Sequence, residues 1–372
     1  MVDRRNMLIG TGAAALFGAG AVWSGARSMG SMAEYAAAIA ALRAPLPPSP
    51  EAADLTRSTP VADPDNHHLF VSLGCAAENL AVAAASRGMP GEVRFDLAAA
   101  GISFVHISGA AIDTALSDAI PLRQSTRSLY DGTILTPVEL ASLASAARMP
   151  GVDLLLITDP AQIGKLTDLI ATANTAQIAD PAFMTELKHW MRFNPRRAMS
   201  TGDGLFSAVS GNPAMPDWLG PLVLGCAYSA DNENKKTAAK IASSAGLAVF
   251  VGANDDPGHW VRTGRACQRF ALQATAMGLE QAFLNQPVEV AALRPDPAAL
   301  IGMPGRRPDL VMRFGRGARC HIRCAGRWRG RWHDRLVHNS GLSGGAQHLL
   351  CRELADSNRR LRPMAAGPCK AE

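Results

Sequence analysis

Apolar side chains recur along this chain with two periods, and the periods alternate. Leu69, Leu73, Ala76, Leu80 and Ala84 fall at helical spacing and predict a helix with one apolar stripe. The β-rich runs 93–95 and 102–107 predict strands, as does the compact apolar run 152–158. Thr136, Pro137 and Glu139 combine an N-cap hydroxyl, a proline at the first helical position and a capping-box carboxylate, so a helix starts there. Asp180 and Pro181 open another helix, expected to run to about residue 193. Residues 234–244 predict a solvated helix, 247–252 a strand, and 309–314 the last strand. Upstream, a short helix over 32–43 runs into a Pro-rich stretch, 45–50, which is extended because proline cannot continue a helix. Such alternation argues layered helices and sheet; the expected class is α+β.

Two of the helical stretches, 71–88 and 261–278, resemble one another. Val71/Val261, Gly74/Gly264, Ala76/Ala266, Ala81/Ala271, Ala84/Ala274 and Gly88/Gly278 are identical pairs, each separated by 190 positions. A glycine closes both, as a left-handed C-terminal cap requires. Either the chain carries two related halves, or two small-residue helices that pack closely look alike. In the first case, a site that a symmetric dimer builds between subunits can be built within one chain.

Composition narrows the class. With 372 residues, 48% of them hydrophobic, the chain is globular and long enough for one large domain or two ordinary ones. The net charge of +5 is unevenly spread: 13 of the 37 Lys and Arg, but only 4 of the 32 Asp and Glu, lie from Arg313 onward. The remainder carries a net charge of −4, so nucleic acid is not an expected partner of the body. Cys75, Cys226 and Cys267 read as small hydrophobes rather than a disulfide framework.

Arg4 and Arg5 precede an uncharged Gly/Ala-rich stretch reaching Trp23, which resembles a twin-arginine (Tat) export signal. It predicts an extracytoplasmic or periplasmic protein, cleaved after Ala26 or retained as an anchor. Tat carries folded passengers, which favours a cofactor enzyme.

The chemistry-bearing segment is Arg123, Gln124, Ser125, Thr126 and Arg127. In an extended strand Arg123, Ser125 and Arg127 point to one side, so two guanidinium forks and a hydroxyl can converge on a phosphate; a solvated surface strand is the competing reading. R-Q-S-T-R resembles the R-x-S-x-R flavin-binding opening of the nitroreductase fold. The stretch from His259 to Gln286 and Pro287 is similar to that fold's long central helix and its exit. Together with the Tat-like start, the repeated helix, and the run from Glu186 to Pro195 followed by Gly202-Asp203-Gly204, the chain resembles the Acg-type tandem nitroreductase-like proteins over roughly residues 55–315.

That resemblance implies an FMN-binding α+β sandwich in which one chain, as a monomer, imitates a dimer. Its expected parts are a signal or anchor over 1–31, an incomplete first half over 32–120, a second half over 121–315 and an irregular tail over 316–372. FMN is expected near Arg123, Gln124, Ser125 and Arg127, with Arg313 or Arg316 contributing from the last strand. Electrons pass from NAD(P)H through the flavin to a nitroaromatic or quinone; the flavin carries the chemistry, so no protein general base is nominated. The alternative is a protein that binds or sequesters FMN without turnover. The family's N-x-Q-P-W segment is missing from the first half, which puts cofactor affinity in question.

Cys320, Cys324, His333 and His338 approximate a zinc-finger spacing without the apolar residues a finger packs, and G-L-S-G-G at 341–345 lacks the strand and helix of a nucleophile elbow. His67 and His68 read as a polar helix start, with the two imidazoles diverging, so no metal is expected. The Arg, Gly, Trp and Cys-rich stretch 315–338 has the look of GC-rich coding sequence read out of frame.

Overall fold

In the computed structural model the described residues are 51–112, 114–201, 203–210 and 212–318. The Tat-like start, the 32–43 helix, the 45–50 stretch and the tail after residue 318, with its Cys/His pattern and G-L-S-G-G run, lie outside them.

In chain order the elements are β1 (Glu51–Ala52), α1 (His67–Ala85), β2 (Gly91–Asp96), β3 (Gly101–His106), α2 (Thr114–Ala119), α3 (Pro137–Ala146), β4 (Val152–Ile157), α4 (Pro160–Ala179) and α5 (Pro181–Trp190). Then follow β5 (Met191–Arg192), α6 (Pro195–Thr201), β6 (Leu205–Phe206), α7 (Gly220–Ala227), α8 (Ala230–Ala242), β7 (Gly246–Gly252), α9 (Pro257–Ala276), β8 (Glu280–Phe283), α10 (Gln286–Glu289), α11 (Pro295–Leu300) and β9 (Pro308–Gly315). The class is α+β: an antiparallel sheet β1-β3-β2, an antiparallel sheet β4-β7-β9-β8, and a two-residue parallel pair β5-β6.

The larger sheet is covered on both faces, which is why β7 reads as an unbroken apolar run rather than an alternation. Ala248 and Phe250 face a core shared with α9, where Phe270 packs edge-on against Phe250 and Phe314. Leu247, Val249 and Val251 face the opposite way, onto Leu166 and Ile170 of α4 and Ile241 of α8.

Helix α9 also packs along α1, and two of the repeat pairs, Val71/Val261 and Gly74/Gly264, lie in that seam. A methyl on Gly74 would overlap the carbonyl oxygen of Val261, and a methyl on Gly264 would overlap the carbonyl oxygen of Val71. Each glycine of the pair therefore receives the backbone of the other's valine. Polar contacts reinforce the seam: the buried Glu78 accepts from Arg265 (2.8 Å) and Arg269 (2.9 Å), and Gln268 donates to Asn79 (2.7 Å). Gly88 and Gly278 both have left-handed backbone, φ 75° and 72°, as their capping role predicts.

The Thr136 capping box forms as read. The helix opened by Asp180 stops at Trp190 instead of continuing to 193, because Met191 and Arg192 pair with Leu205 and Phe206 and bury their side chains. The solvated helix starts earlier than expected, at Ala230, where the Ser229 hydroxyl accepts from Asn232 N. The twenty-residue α4, capped by Asp159 with Pro160 behind it, carries the same start signal as the Asp180 helix.

Candidate cofactor site

Residues 124–126 lie against the free edge of the larger sheet. Ser125 bridges Gln281 of β8 in parallel register and Thr126 N donates to Gln281 O at 2.9 Å. The alternation expected of an extended segment follows: Gln124 and Thr126 are buried, while Arg123, Ser125 and Arg127 are half-buried on the other side. Inward, the Thr126 hydroxyl donates to Glu280 at 2.5 Å, Gln124 Nε2 donates to Thr126 Oγ1 at 3.3 Å, and Gln281 Nε2 donates to Gln124 O at 2.8 Å. The side-chain oxygens of Gln124, Gln281 and Gln286 are buried acceptors without a partner among the described residues.

Arg313 corrects one expectation. It is 1% exposed and its guanidinium donates to the carbonyls of Thr126 (2.9 Å), Ser128 (2.7 Å) and Lys240 (3.1 Å) and to Ser244 Oγ (3.3 Å), while lying 3.9 Å over the Tyr130 ring. Those donors are committed to backbone, so Arg313 holds the 123–128 segment in place and does not face a phosphate. Gln124 points inward with Thr126, away from the outward row. Arg316 is paired with Glu139 of α3.

Burial, then the charges of Arg313 and Arg127, hold the Lys240 ammonium below its ordinary value. Burial and the Arg127 charge lower Arg313 as well, against the opposing effect of Tyr130.

Two polar clusters escaped the sequence reading. Arg57, Arg192 and Asp203 form one, with Arg192 donating to Asp203 Oδ1 at 2.7 Å and Arg57 to Oδ2. This gives the run ending at Pro195 and the following Asp203 a structural purpose. The other lies at the start of α1. His67 is not a solvated residue there: it is 1% exposed, with Nε2 2.7 Å from Asp309 Oδ1 and Nδ1 3.1 Å from His68 Nδ1. The neighbouring imidazoles converge, their ring centres 4.7 Å apart. The cause is local: Asn66 adopts left-handed backbone at φ 59°, and Asp63 accepts from His68 N (2.9 Å) and Leu69 N (3.0 Å), which fixes the first turn. The signals were an Asp four residues before a His-His pair and a lone Asp in an apolar strand, 242 positions away from the first His.

No known protein-family description matches the chain. Two Mycobacterium tuberculosis proteins, from strains CDC 1551 and H37Rv and each provisionally named an NAD(P)H nitroreductase, are 26% identical to it over 265 residues, covering 68% of this chain and 72% of theirs. The sequence similarity is thus to proteins named nitroreductases. Among solved structures, the FMN-dependent nitroreductase NfnB of Mycobacterium smegmatis in complex with NADPH aligns at 13% identity, covering 55% of this chain and 88% of that one, with a TM-score of 0.37. The NADPH:FMN oxidoreductase of Vibrio harveyi complexed with NAD+ aligns at 12% identity over 66% of this chain and 85% of that one, with a TM-score of 0.35.

Proposed function

We propose that the protein is an FMN-dependent NAD(P)H oxidoreductase of the nitroreductase superfamily, acting on an acceptor of the nitroaromatic or quinone class. The observation that carries this reading is the outward row Arg123, Ser125 and Arg127 on a segment whose inward side is locked by Thr126 and Arg313. The donor set suits a phosphate: two planar forks and a hydroxyl on a segment pinned by Arg313 and by the β8 edge. The unpartnered Gln124 and Gln281 oxygens at the same seam suit hydroxyl donors such as those of a ribityl chain. Sequence similarity to proteins named NAD(P)H nitroreductases supports the donor class.

When bound, FMN supplies the hydride and electron transfer. The chain's own residues then do three things: Arg123, Ser125 and Arg127 grip the phosphate, Arg313 preorganises the segment that carries them, and the β8 edge fixes its register. The reciprocal seating of Gly74 and Gly264 supports a tandem, Acg-like organisation in which one chain supplies both halves, divided near residue 120, and acts as a monomer. The Arg4-Arg5 start supports Tat export, testable by fusing residues 1–31 to a folded reporter.

Purified full-length protein should show flavin absorbance near about 450 nm, retained or restored by added FMN, and lose it with NADH or NADPH under anaerobic conditions. Protein that is colourless and takes up no FMN ends the reading. FMN that binds but is not bleached by either nicotinamide supports sequestration without turnover.

A further inference from the structure

We infer that Asp63, His67 and His68 bind one divalent ion of the zinc class where α1 begins. One ligand atom from each lies within 4.8 Å of the others. The near nitrogens, Nδ1 of His67 and Nδ1 of His68, are 3.1 Å apart. Two imidazole nitrogens at about 2.0–2.1 Å from a tetrahedral zinc stand about 3.3 Å apart, so this pair is already spaced for one ion. Asp63 joins by a swing of under about 2 Å, the difference between 4.8 Å and that tetrahedral spacing. Its oxygens accept from His68 N and Leu69 N and retain further lone pairs, so it can ligate without uncapping the helix.

The surroundings are those of a metal site. Asp309, 1% exposed, accepts from Gly252 N and from the Thr263 hydroxyl, and its other oxygen is 2.7 Å from His67 Nε2. An acceptor-only carboxylate demands a proton on that Nε2, which leaves the His67 Nδ1 lone pair aimed at His68. Glu289 lies behind His68 without hydrogen-bonding it, Oε1 being 3.7 Å from Nε2, while its Oε2 accepts from Gln177 at 2.7 Å. Asp309 thus fixes which His67 nitrogen keeps the lone pair, and His68 Nδ1 meets that lone pair at 3.1 Å. A cation there turns that encounter into two bonds. Two imidazoles and one carboxylate suit zinc among the common divalent ions, with a fourth position open to solvent on the half-exposed His68 side. The ion joins the start of α1 to β9 through Asp309 and to α10 through Glu289, tying residues 63–68 to residues 289 and 309.

Full-length protein stripped with chelator and titrated with Zn²⁺ alone, against a chromophoric competitor, should take up one equivalent that His68→Gln weakens at least about tenfold. Asp63→Asn should weaken it as well. The Cys320→Ser/Cys324→Ser double variant should retain it, which separates this site from the tail's Cys/His pattern. Co²⁺ bound to the wild type should give visible d–d bands without a sulfur charge-transfer band, a readout that needs no variant to fold. Unchanged affinity in His68→Gln, loss of the ion in the cysteine variant, a sulfur band with the single bound equivalent, or no uptake would each overturn the assignment.

Discussion

Replacing Gly74 by alanine adds one methyl where α1 meets α9, and its effect follows from two opposed terms. Alanine is the better helix former, by roughly 0.5–1 kcal/mol. Against this, the added carbon would strike the Val261 carbonyl oxygen and come within 2.8 Å of Val261 C and 3.0 Å of its Cα. All three are main-chain atoms in the second turn of a long helix, so no rotamer change relieves the overlap. The helices must separate by on the order of 1 Å, which forfeits a quarter to a half of each well-packed contact along the seam. Overpacking of this kind costs about 1–3 kcal/mol and more when backbone must move. Taking the upper part of that range, we expect a net loss of about 2 kcal/mol, or roughly 30-fold in the folding equilibrium. Gly164→Ala provides the control, since that helical glycine in α4 is exposed and has nothing within 4 Å of the added methyl. It should gain about 0.5–1 kcal/mol. Equilibrium urea unfolding reads both through the midpoint at constant slope. A Gly74→Ala protein as stable as Gly164→Ala would refute the close seam. The Gly74→Ala/Gly264→Ala double variant should lose less than the sum, because one separation accommodates both methyls.

Arg127→Gln should weaken FMN binding by roughly 10- to 100-fold, the loss of one charge-assisted phosphate contact, while unfolding of the flavin-free protein changes by less than about 0.5 kcal/mol; flavin fluorescence titration and urea melts read the two. Arg313→Gln should do the reverse in rank: losing a fully buried guanidinium and its bonds to the Thr126, Ser128 and Lys240 carbonyls costs about 3 kcal/mol, and flavin affinity falls because the segment loosens. Burial raises the Asp203 carboxyl, but hydrogen bonds from Arg192 and Thr201 and the charges of Arg192 and Arg57 outweigh it and hold the group below its usual 3.8. A depressed carboxyl stabilises above its unfolded value and loses that contribution as pH falls through the folded one, so Asp203→Asn should be less stable than wild type at pH 7, the difference closing below pH 3.8 in acid melts.

Local signals were read well where they carried a mechanism. The Thr136 capping box, the Gly88 and Gly278 caps and the alternation across 123–127 each rest on one or two neighbours, and each formed. What escaped was set by distant partners. Arg313 looks from sequence like a cation at the end of a strand, ready for a phosphate; only the fold brings four acceptors and Tyr130 around it. His67 and His68 depart from the rule that helical neighbours diverge, because left-handed Asn66 sets their first turn and Asp309 and Glu289 stand behind the rings.

Where two identical subunits meet across a two-fold axis, every substitution appears twice, so a carboxylate opposite itself must be tolerated on both sides at once. Here both sides are encoded separately. Glu78 faces Arg265 and Arg269, whereas the positions 190 residues away from these three hold Gln268, Cys75 and Asn79. The seam is therefore reciprocal in its glycines and one-sided in its charge, a combination open to a single gene and closed to a self-paired one. Selection can tune one flank of such a contact and leave the other alone.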